Sequence, residues 1–269
     1  MEKNDSAKGI VDPAGAAQRF AVRRHAPSAA LAPFVEFFWI VEWDMRGREP
    51  QTQRVLPYPN AHIAFEPGLT GLYGVVQGPF DKHLEGEGRV LGARFRPGGL
   101  RPWLSGPVSS LSGRTVTLDE AFGIDGACAE KAVLAQPDDP GMIAVAEEFL
   151  APLARRSAPD PRVAHAEAAV KAAEAEHGPV SVAELAQVAG VSERGLQRLF
   201  HDYVGVPPKW VVQRFRLQEA MWRLARPGTP DLTELALELG FFDQSHLTRH
   251  FTALVGKPPL EYWKSQRAK

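Results

Sequence analysis

The sequence contains only one cysteine, Cys128, among 269 residues. A single thiol cannot close a disulfide within the chain, and it cannot supply the cysteine pairs of a zinc ribbon or zinc finger. Disulfide-stapled folds and cysteine-based zinc modules are therefore excluded, and we expect a cytoplasmic protein. Cys128 lies among Ala and Glu residues of a predicted helix, so we expect a small packed side chain rather than a redox sensor.

Long hydrophobic runs are also missing. The most apolar early stretch, Ala32 to Val41, is short and is interrupted by Glu36, and the segment Met1 to Ile10 is polar and charged. A membrane-spanning helix needs about 20 apolar residues, and a signal peptide needs an apolar central region. The sequence therefore predicts neither a signal peptide nor a membrane span, and we expect no membrane partner.

The chain has no marked excess of charge of either sign. Its 31 Lys and Arg residues and 32 Asp and Glu residues give a net charge of -1. Nucleic-acid-binding domains are commonly basic, and here basic residues outnumber acidic ones only in the last third of the chain. The charge distribution permits nucleic-acid binding by the C-terminal part without establishing it.

Two regions of different pattern follow one another along the chain. Between about Phe34 and Phe95, short apolar or alternating runs are separated by Pro and Gly clusters, a pattern typical of antiparallel strands. After Leu118 the composition shifts to Ala, Glu and Leu, and we predict helices over residues 119–135 and 139–154 beside the strands. The predicted fold class is α+β, with a small antiparallel β domain and flanking helices followed by an all-α domain.

The charged, proline-interrupted segment Arg155 to Pro161 is the best linker candidate. It predicts an N-terminal domain over residues 1–156, for sensing or dimerisation, and a DNA-binding domain over residues 160–267. The latter begins with an Ala- and Glu-rich helix, Arg162 to His177, which a Gly-Pro pair should end.

The C-terminal domain contains an internal repeat. Corresponding residues lie 50 positions apart at the start of the repeat and 51 apart after a turn, so copy two has one inserted residue. Eleven identities at these offsets indicate a duplicated supersecondary unit. Copy one contributes Glu184, Leu185, Ala186, Gly190, Leu196, Arg198, Phe200, Val204, Gly205, Pro207 and Pro208.

Each copy predicts a helix, a tight turn and a second helix. Ser181-x-x-Glu184 and Asp231-x-x-Glu234 are capping signatures, in which the first side chain accepts from the amide three residues on and Glu reaches back to the cap amide. Gly190 or Gly240 then supplies the turn, and the next Ser or Asp can cap the following helix. The result is a helix-turn-helix unit in each copy.

The second helix of each copy has an apolar face and a polar face. Helical spacing predicts a buried face made of Leu196, Leu199, Phe200 and Val204 in copy one and of Leu247, Phe251, Leu254 and Val255 in copy two. On the polar face, Arg can hold guanine and Gln can hold adenine by paired hydrogen bonds. For any one residue a solvated surface is the ordinary alternative, but two duplicated faces favour recognition. We expect base contacts from Arg194, Gln197, Arg198, Gln244, Ser245 and Arg249, and phosphate contacts from Lys209, His201 and Thr248.

The segment Pro208 to Arg226 between the copies reads as one helix, with Pro near its start and Pro-Gly after its end. At 1.5 Å per residue it spans about 28 Å. Successive major-groove faces of a duplex are about 34 Å apart. The spacer therefore allows both second helices to enter adjacent major grooves.

Several short motifs of the C-terminal domain form a set. They are Gly-Val-Ser-x-x-x-Leu-Gln-Arg-Leu-Phe over residues 190–200, and Gly-Phe, Leu-Thr-Arg-His-Phe, Val-Gly-Lys-Pro-Pro and Tyr-Trp between residues 240 and 263. This set resembles the AraC/XylS family of transcriptional regulators over about residues 162–267. The resemblance implies a bacterial-type regulator whose seven-helix domain binds double-stranded DNA through the six base-contacting residues given above. RNA polymerase and a second copy of the chain are further candidate partners.

Two N-terminal segments, Leu56 to Phe65 and Gly92 to Gly99, resemble an uncharacterised regulatory domain often joined to AraC-type units. The resemblance implies sensing or assembly, and we expect a cupin-like or related β-barrel. Trp39 and Trp43 share one strand face, and so do Arg94 and Arg96, which suggests a pocket for a small, anionic effector. Core packing of the tryptophans and pairing of the arginines with surface carboxylates are the alternatives. A domain that only dimerises or contacts another protein, without an effector, is the alternative function.

Enzyme chemistry finds little support. His62, Glu66, His83 and Glu85 are residue types that bind metals in cupin barrels, but their spacing forms no dense His-x-His cluster. No Gly-x-Ser-x-Gly nucleophile motif is present. We therefore expect no metal, no cofactor and no catalytic activity.

Overall fold

The computed structural model describes residues 20–158 and 160–267. Its contacts divide the chain into two compact units: the first ends at Glu167 and also includes Leu199–Val206, and the second consists of Ala168–Arg198 and the chain from Pro207 onward. Residues 1–10, where we expected no signal peptide, and Pro159 of the expected linker lie outside the described residues. None of the described helices is long and apolar enough to cross a membrane.

The strands of the first unit form two antiparallel sheets. Six strands pair in the order β1-β2-β7-β4-β5-β8, and β3 pairs with β6. The strands are Phe20–His25 (β1), Val35–Asp44 (β2), Gln51–Val55 (β3), His62–Phe65 (β4), Gly71–Tyr73 (β5), Phe80–Leu84 (β6), Glu87–Phe95 (β7) and Thr115–Val116 (β8). The predicted α+β class with antiparallel N-terminal strands is confirmed, although β1 and β8 lie outside the range in which strands were expected.

Three helices follow these strands: Leu118–Phe122 (α1), Gly126–Leu134 (α2) and Asp139–Arg156 (α3). The single helix predicted over residues 119–135 is wrong. Gly123 ends α1 in the left-handed region with a φ of 69°, and the Asp125 side chain then caps α2 by accepting from the Cys128 amide at 2.9 Å. The expectation that Cys128 is packed is also wrong, because this residue is exposed in the first turn of α2.

One face of the larger sheet forms a hydrophobic core with α2 and α3. Alternate residues of β2, including Phe38 and Ile40, are fully buried in the same cluster as Val133 of α2 and Leu150 of α3. Since side chains of a strand alternate between faces, Trp39 and Trp43 belong to the opposite face. The two faces of this sheet therefore have different environments.

Leu199–Val206 packs with the first unit. The Tyr203 hydroxyl donates to the Asp160 carboxylate. Gly205 has a φ of 93°, and a Cβ there would lie 3.0 Å from Cγ1 of Val108, which leaves little room for a larger residue.

The C-terminal helices are Pro161–Glu174 (α4), Val182–Val188 (α5), Glu193–Leu199 (α6), Pro208–Ala225 (α7), Leu232–Glu238 (α8), Gln244–Val255 (α9) and Pro259–Ser265 (α10). The boundary between the two compact units falls within α4. The predicted helical region with two helix-turn-helix units and a long helix between them is confirmed. Helix α7 is buried at Val211, Phe215 and Leu224, which fixes it within the second unit.

Candidate nucleic-acid interface

The first helix of each copy begins at a side-chain cap. In copy one, Ser181 Oγ accepts from the Glu184 amide at 3.2 Å, and Glu184 Oε2 accepts from the Val180 amide at 3.1 Å. In copy two, Asp231 Oδ1 accepts from the amides two and three residues on, at 2.8 and 3.0 Å. Both predicted helix starts are confirmed. Glu184, however, reaches the amide before the cap residue rather than the cap amide itself.

The turn of each copy contains a glycine in the left-handed region. Gly190 has a φ of 67° and Gly240 a φ of 73°, values that L side chains rarely adopt. The following helices are also capped: Ser192 Oγ accepts from the Gly195 amide at 3.1 Å, and Asp243 Oδ1 accepts from the His246 amide at 2.6 Å. Helices α6 and α9 are therefore the second helices of the two helix-turn-helix copies, and we call them the recognition helices.

Each recognition helix buries its apolar face. Leu196 of α6 is fully buried, as are Leu247 and Phe251 of α9. Because the apolar faces are held inside, the polar faces of both helices are directed outward.

The predicted base-contacting side chains all lie at the surface: Arg194, Gln197, Arg198, Gln244, Ser245 and Arg249 are exposed. Gln244 is partly oriented by α8, since its Oε1 accepts from the Thr233 hydroxyl at 3.3 Å. Contact of these residues with DNA stays a prediction.

The predicted phosphate-contacting residues are distributed over three elements. Lys209 on α7 and His201 after α6 are exposed, and Thr248 on α9 is half-buried. The ring Nδ1 of His201 lies 2.8 Å from Oδ1 of Asp202. This carboxylate places negative charge beside His201, whereas Lys209 has no ion pair among the described contacts.

A basic cluster near the second recognition helix was missed at the sequence level. The rings of His246 and His250 lie 4.7 Å apart. Burial lowers the pKa of His250, and the charges of His246, Arg249 and Lys209 lower it further. The spacing of the two histidines could have indicated their contact, but only the fold brings Lys209 of α7 close to α9. We refer to Lys209, His246, Arg249 and His250 as the basic cluster.

In the first unit, the two tryptophans proposed for a pocket cover glycines of the neighbouring strand. A Cβ on Gly92 would lie 2.1 Å from the Trp39 ring, and a Cβ on Gly88 would lie 2.2 Å from the Trp43 ring. Both indoles are half-buried on the face opposite the core. The glycines are therefore required so that the rings can lie flat on the sheet.

The two arginines proposed for the same pocket each have a carboxylate partner. Arg94 Nε lies 3.0 Å from Glu36 Oε2, and its guanidinium lies 3.8 Å from the centre of the Tyr58 ring. Arg96, beyond the end of β7, donates to Glu167 Oε1 at 2.8 Å. Arg94 lies on the Trp39 face of the sheet, because Phe37 pairs with Arg94 and Trp39 pairs with Gly92.

The residues considered as metal ligands have other contacts. His62 stacks on Tyr73 at 4.9 Å, and burial, with the Arg94 charge, lowers its pKa to about 4. Glu66 pairs with Lys82, and His83 Nε2 lies 3.7 Å from Oε2 of Glu85. Within residues 20–158 and 160–267, no group of three or more His, Cys, Asp or Glu side chains could hold a metal ion.

Comparisons with known proteins match two parts of the chain separately. Residues 23–117 match a sequence family described as a domain of unknown function, DUF6597, and residues 185–265 match one described as a helix-turn-helix domain.

The relatives found by sequence match about a third of this chain. YkgA of Escherichia coli (strain K12), named as an HTH-type transcriptional regulator, is 36% identical over 84 residues, which are 31% of this chain and 35% of YkgA. The XylDLEGF operon transcriptional activator 1 of Pseudomonas putida is 28% identical over 92 residues, 34% of this chain and 28% of the activator. The chain therefore spans about a third of the length of these relatives.

Among solved structures, a transcriptional regulator from Chromobacterium violaceum, described as an AraC-type DNA-binding domain-containing protein, is 27% identical. The match covers 38% of this chain and 92% of that one, with a TM-score of 0.34. The family match includes the turn glycines and the exposed recognition helices of both copies. Residues 185–265 are therefore similar to helix-turn-helix domains of transcriptional regulators.

Proposed function

We propose that the chain is a sequence-specific DNA-binding transcriptional regulator in which α6 and α9 enter adjacent major grooves. The observation that carries this proposal is the duplication itself. Each copy holds a recognition helix by a side-chain cap, a turn glycine and a buried apolar face, and exposes a polar face. Such a helix fits the major groove, where Arg and Gln side chains can distinguish base pairs.

The length of α7 supports the two-groove arrangement. The helix has 18 residues, so it is about 27 Å long. This is comparable with the roughly 34 Å that separates successive major-groove faces. A buried, continuous helix is a rigid spacer, and we infer that it sets the distance between the two sites.

The basic cluster supports a division between phosphate and base contacts. Lys209 is exposed, its charge acts on His250 of α9, and it offers a point charge suited to a phosphate. Arg249 in the same cluster is exposed on the recognition helix and can reach a base edge. We infer that Lys209 contributes affinity and salt dependence, whereas Arg249 contributes sequence preference.

For the first unit, we propose that a small molecule binds on the sheet face that carries Trp39, His62 and Tyr73. The His62 ring stacks on Tyr73 and meets Trp39 edge-on at 6.1 Å. Arg94 and Lys82 are paired with Glu36 and Glu66. Because the nearby charges are paired and the rings are half-buried, this face favours a flat, uncharged ligand over the anion expected from the arginines alone.

Selection of duplexes from a random-sequence library by the full-length protein tests the DNA-binding proposal. The expected result is one motif with two informative blocks about 10 base pairs apart. Enrichment of no motif would contradict it.

Thermal shift of the full-length protein with a metabolite library tests the effector proposal. A ligand present at 100 times its Kd should raise stability by about 2.7 kcal/mol, and Trp39→Ala should remove that shift. If no compound shifts the transition and light scattering shows a ligand-independent dimer, the assembly-only alternative is supported instead.

A further inference from the structure

Phe242 is the most exposed large apolar side chain among the described residues, with 85% of its surface accessible. Single exposed apolar residues are common on protein surfaces and need no explanation by themselves. Phe242 differs because of its place in the fold: it stands immediately before Asp243, the cap of the second recognition helix.

The backbone around Phe242 is held on both sides. Phe241 is 5% exposed and its amide donates to the Ala236 carbonyl at 2.9 Å. The Phe242 amide donates to Nδ1 of His246 at 3.2 Å, and Asp243 accepts from the His246 amide. With its neighbours fixed in this way, the Phe242 side chain leaves the domain at the N-terminal end of α9.

The two copies of the repeat show that Phe242 is the inserted residue of copy two. The amides of Val191 and Phe241 donate to the carbonyls of Ala186 and Ala236, so these two positions correspond. The caps Ser192 and Asp243 also correspond. One residue lies between Phe241 and Asp243 and none between Val191 and Ser192, so Phe242 has no counterpart in copy one.

A packing role does not account for this residue. An apolar residue before a helix cap often packs on the fourth helical residue, here Leu247, as a hydrophobic staple. Leu247 is fully buried while Phe242 is 85% exposed, so the pair forms no such staple. The buried neighbour, Phe241, instead fills the interior beside the rings of His246 and His250.

We propose that Phe242 is a specificity-determining residue that contacts the C5-methyl group of a thymine in the half-site read by α9. This inference rests on the proposed DNA-binding function. The N-terminal residues of a recognition helix lie nearest the base edges, and Gln244 and Ser245 are exposed next to Phe242. Among the groups presented in the major groove, the thymine methyl is the apolar one, and Phe is a side chain that can contact it.

The test uses the full-length protein, its Phe242→Ser variant and a control variant, Leu237→Ser. Leu237 is also an exposed apolar residue, at 62%, but it lies on α8 before the turn. Each protein selects duplexes from a random-sequence library, and binding is then measured on the wild-type motif with each thymine replaced in turn by deoxyuridine. The replacement removes only the methyl group.

We expect the wild type and Leu237→Ser to prefer a thymine at one position of the α9 half-site, and Phe242→Ser to lose that preference. Deoxyuridine at that position should weaken the wild type about fourfold, the value of one buried methyl group, and should leave Phe242→Ser unchanged. Identical motifs and equal deoxyuridine effects for the wild type and Phe242→Ser would overturn the inference. If Phe242→Ser in that case also lost transcriptional activity, the result would indicate that Phe242 contacts a protein rather than DNA. If the wild type itself selects no motif, the proposed sequence-specific DNA binding is contradicted, and with it the role of Phe242.

Discussion

The Arg216 guanidinium donates from Nη2 to the carbonyl oxygen of Ala173 at 2.8 Å, and so joins the middle of α7 to the end of α4. The same nitrogen donates to the Ala175 carbonyl at 3.1 Å, and Nη1 pairs with Glu219. Burial lowers the pKa of Arg216, whereas the negative charge of Glu219 raises it. With 2% of its surface exposed, Arg216 is a buried charge whose partners all lie within the second unit.

Replacing Arg216 with Met should destabilise the protein by about 3 kcal/mol, because Oε2 of Glu219 and the α4 carbonyls would stay buried without their donor, while Oε1 of Glu219 keeps Arg223. Urea unfolding of the full-length variant measures this change. The double variant Arg216→Met, Glu219→Met should recover much of the loss, since Arg223, the other partner of Glu219, still pairs with Glu238 and no buried charge is left unpaired. Arg46→Met, which removes an exposed ion pair with Asp44, is the control and should change little. A neutral Arg216→Met substitution would contradict this account of α7.

The two turn glycines should differ in their tolerance of alanine. Gly190 has open space around a hypothetical Cβ, whereas a Cβ on Gly240 would lie 2.7 Å from the Cβ of Val180. Gly190→Ala should therefore cost only the left-handed backbone penalty of about 1–2 kcal/mol, and Gly240→Ala should cost more. Thermal unfolding of the two variants side by side tests this order. Equal losses would show that Val180 moves aside without cost.

The stability of the first unit should fall at acid pH through Asp139. Hydrogen bonds from Arg23 at 2.7 and 2.9 Å, and then from His25 at 2.8 Å, hold the pKa of Asp139 below its usual value of 3.8. A depressed pKa means that this stabilisation is complete above the unfolded-state value and is lost as the pH falls through the folded-state value. The affected window is therefore below about pH 4.

Two variants check that assignment. Asp139→Asn should be less stable than the wild type at pH 7 and should lose less stability between pH 5 and pH 2. Arg23→Gln should have the same effect, because it removes the first cause of the shift. The measurement is urea unfolding followed by circular dichroism across this range. An Asp139→Asn variant with the wild-type acid dependence would refute the role of this carboxylate.

Local signals in the sequence were sufficient for much of the C-terminal domain. Capping residues, turn glycines and apolar spacing act within a few residues, so the starts of α5 and α8 could be predicted. The break at Gly123 was missed because the Ala-rich composition on both sides favours helix, while the glycine and the Asp125 cap together end and restart it. Partners distant in sequence, such as Glu167 for Arg96, depend on the tertiary fold and leave no local pattern.

The candidate site shows the same limit. Exposure of Arg198 and Arg249 followed from helical spacing alone. The approach of Lys209 to α9, and the identity of the inserted residue as Phe242, required backbone geometry. The sequence repeat shows only that the extra residue of copy two lies in the turn between its two helices. The backbone hydrogen bonds align the two copies residue by residue and so identify which residue it is.

Lys209→Ala should weaken binding to all duplexes by a similar factor. A lysine that neutralises one phosphate releases counterions, so its removal should reduce the slope of log affinity against log salt concentration by about one. Titrations of a selected and an unrelated duplex at several salt concentrations measure both effects. Lys171→Ala, a substitution in α4 outside the recognition helices and the basic cluster, serves as the control. A change confined to the selected duplex would show that Lys209 reads sequence rather than phosphate.

The most direct test of the two-groove account is binding-site selection with the full-length Arg198→Ala and Arg249→Ala variants beside the wild type. Each substitution should cost roughly 1–3 kcal/mol at the wild-type site and relax one or two base positions. We predict that the positions relaxed by Arg249→Ala lie about 10 base pairs from those relaxed by Arg198→Ala. If both variants retain the wild-type motif, or both relax the same base pairs, the account is contradicted.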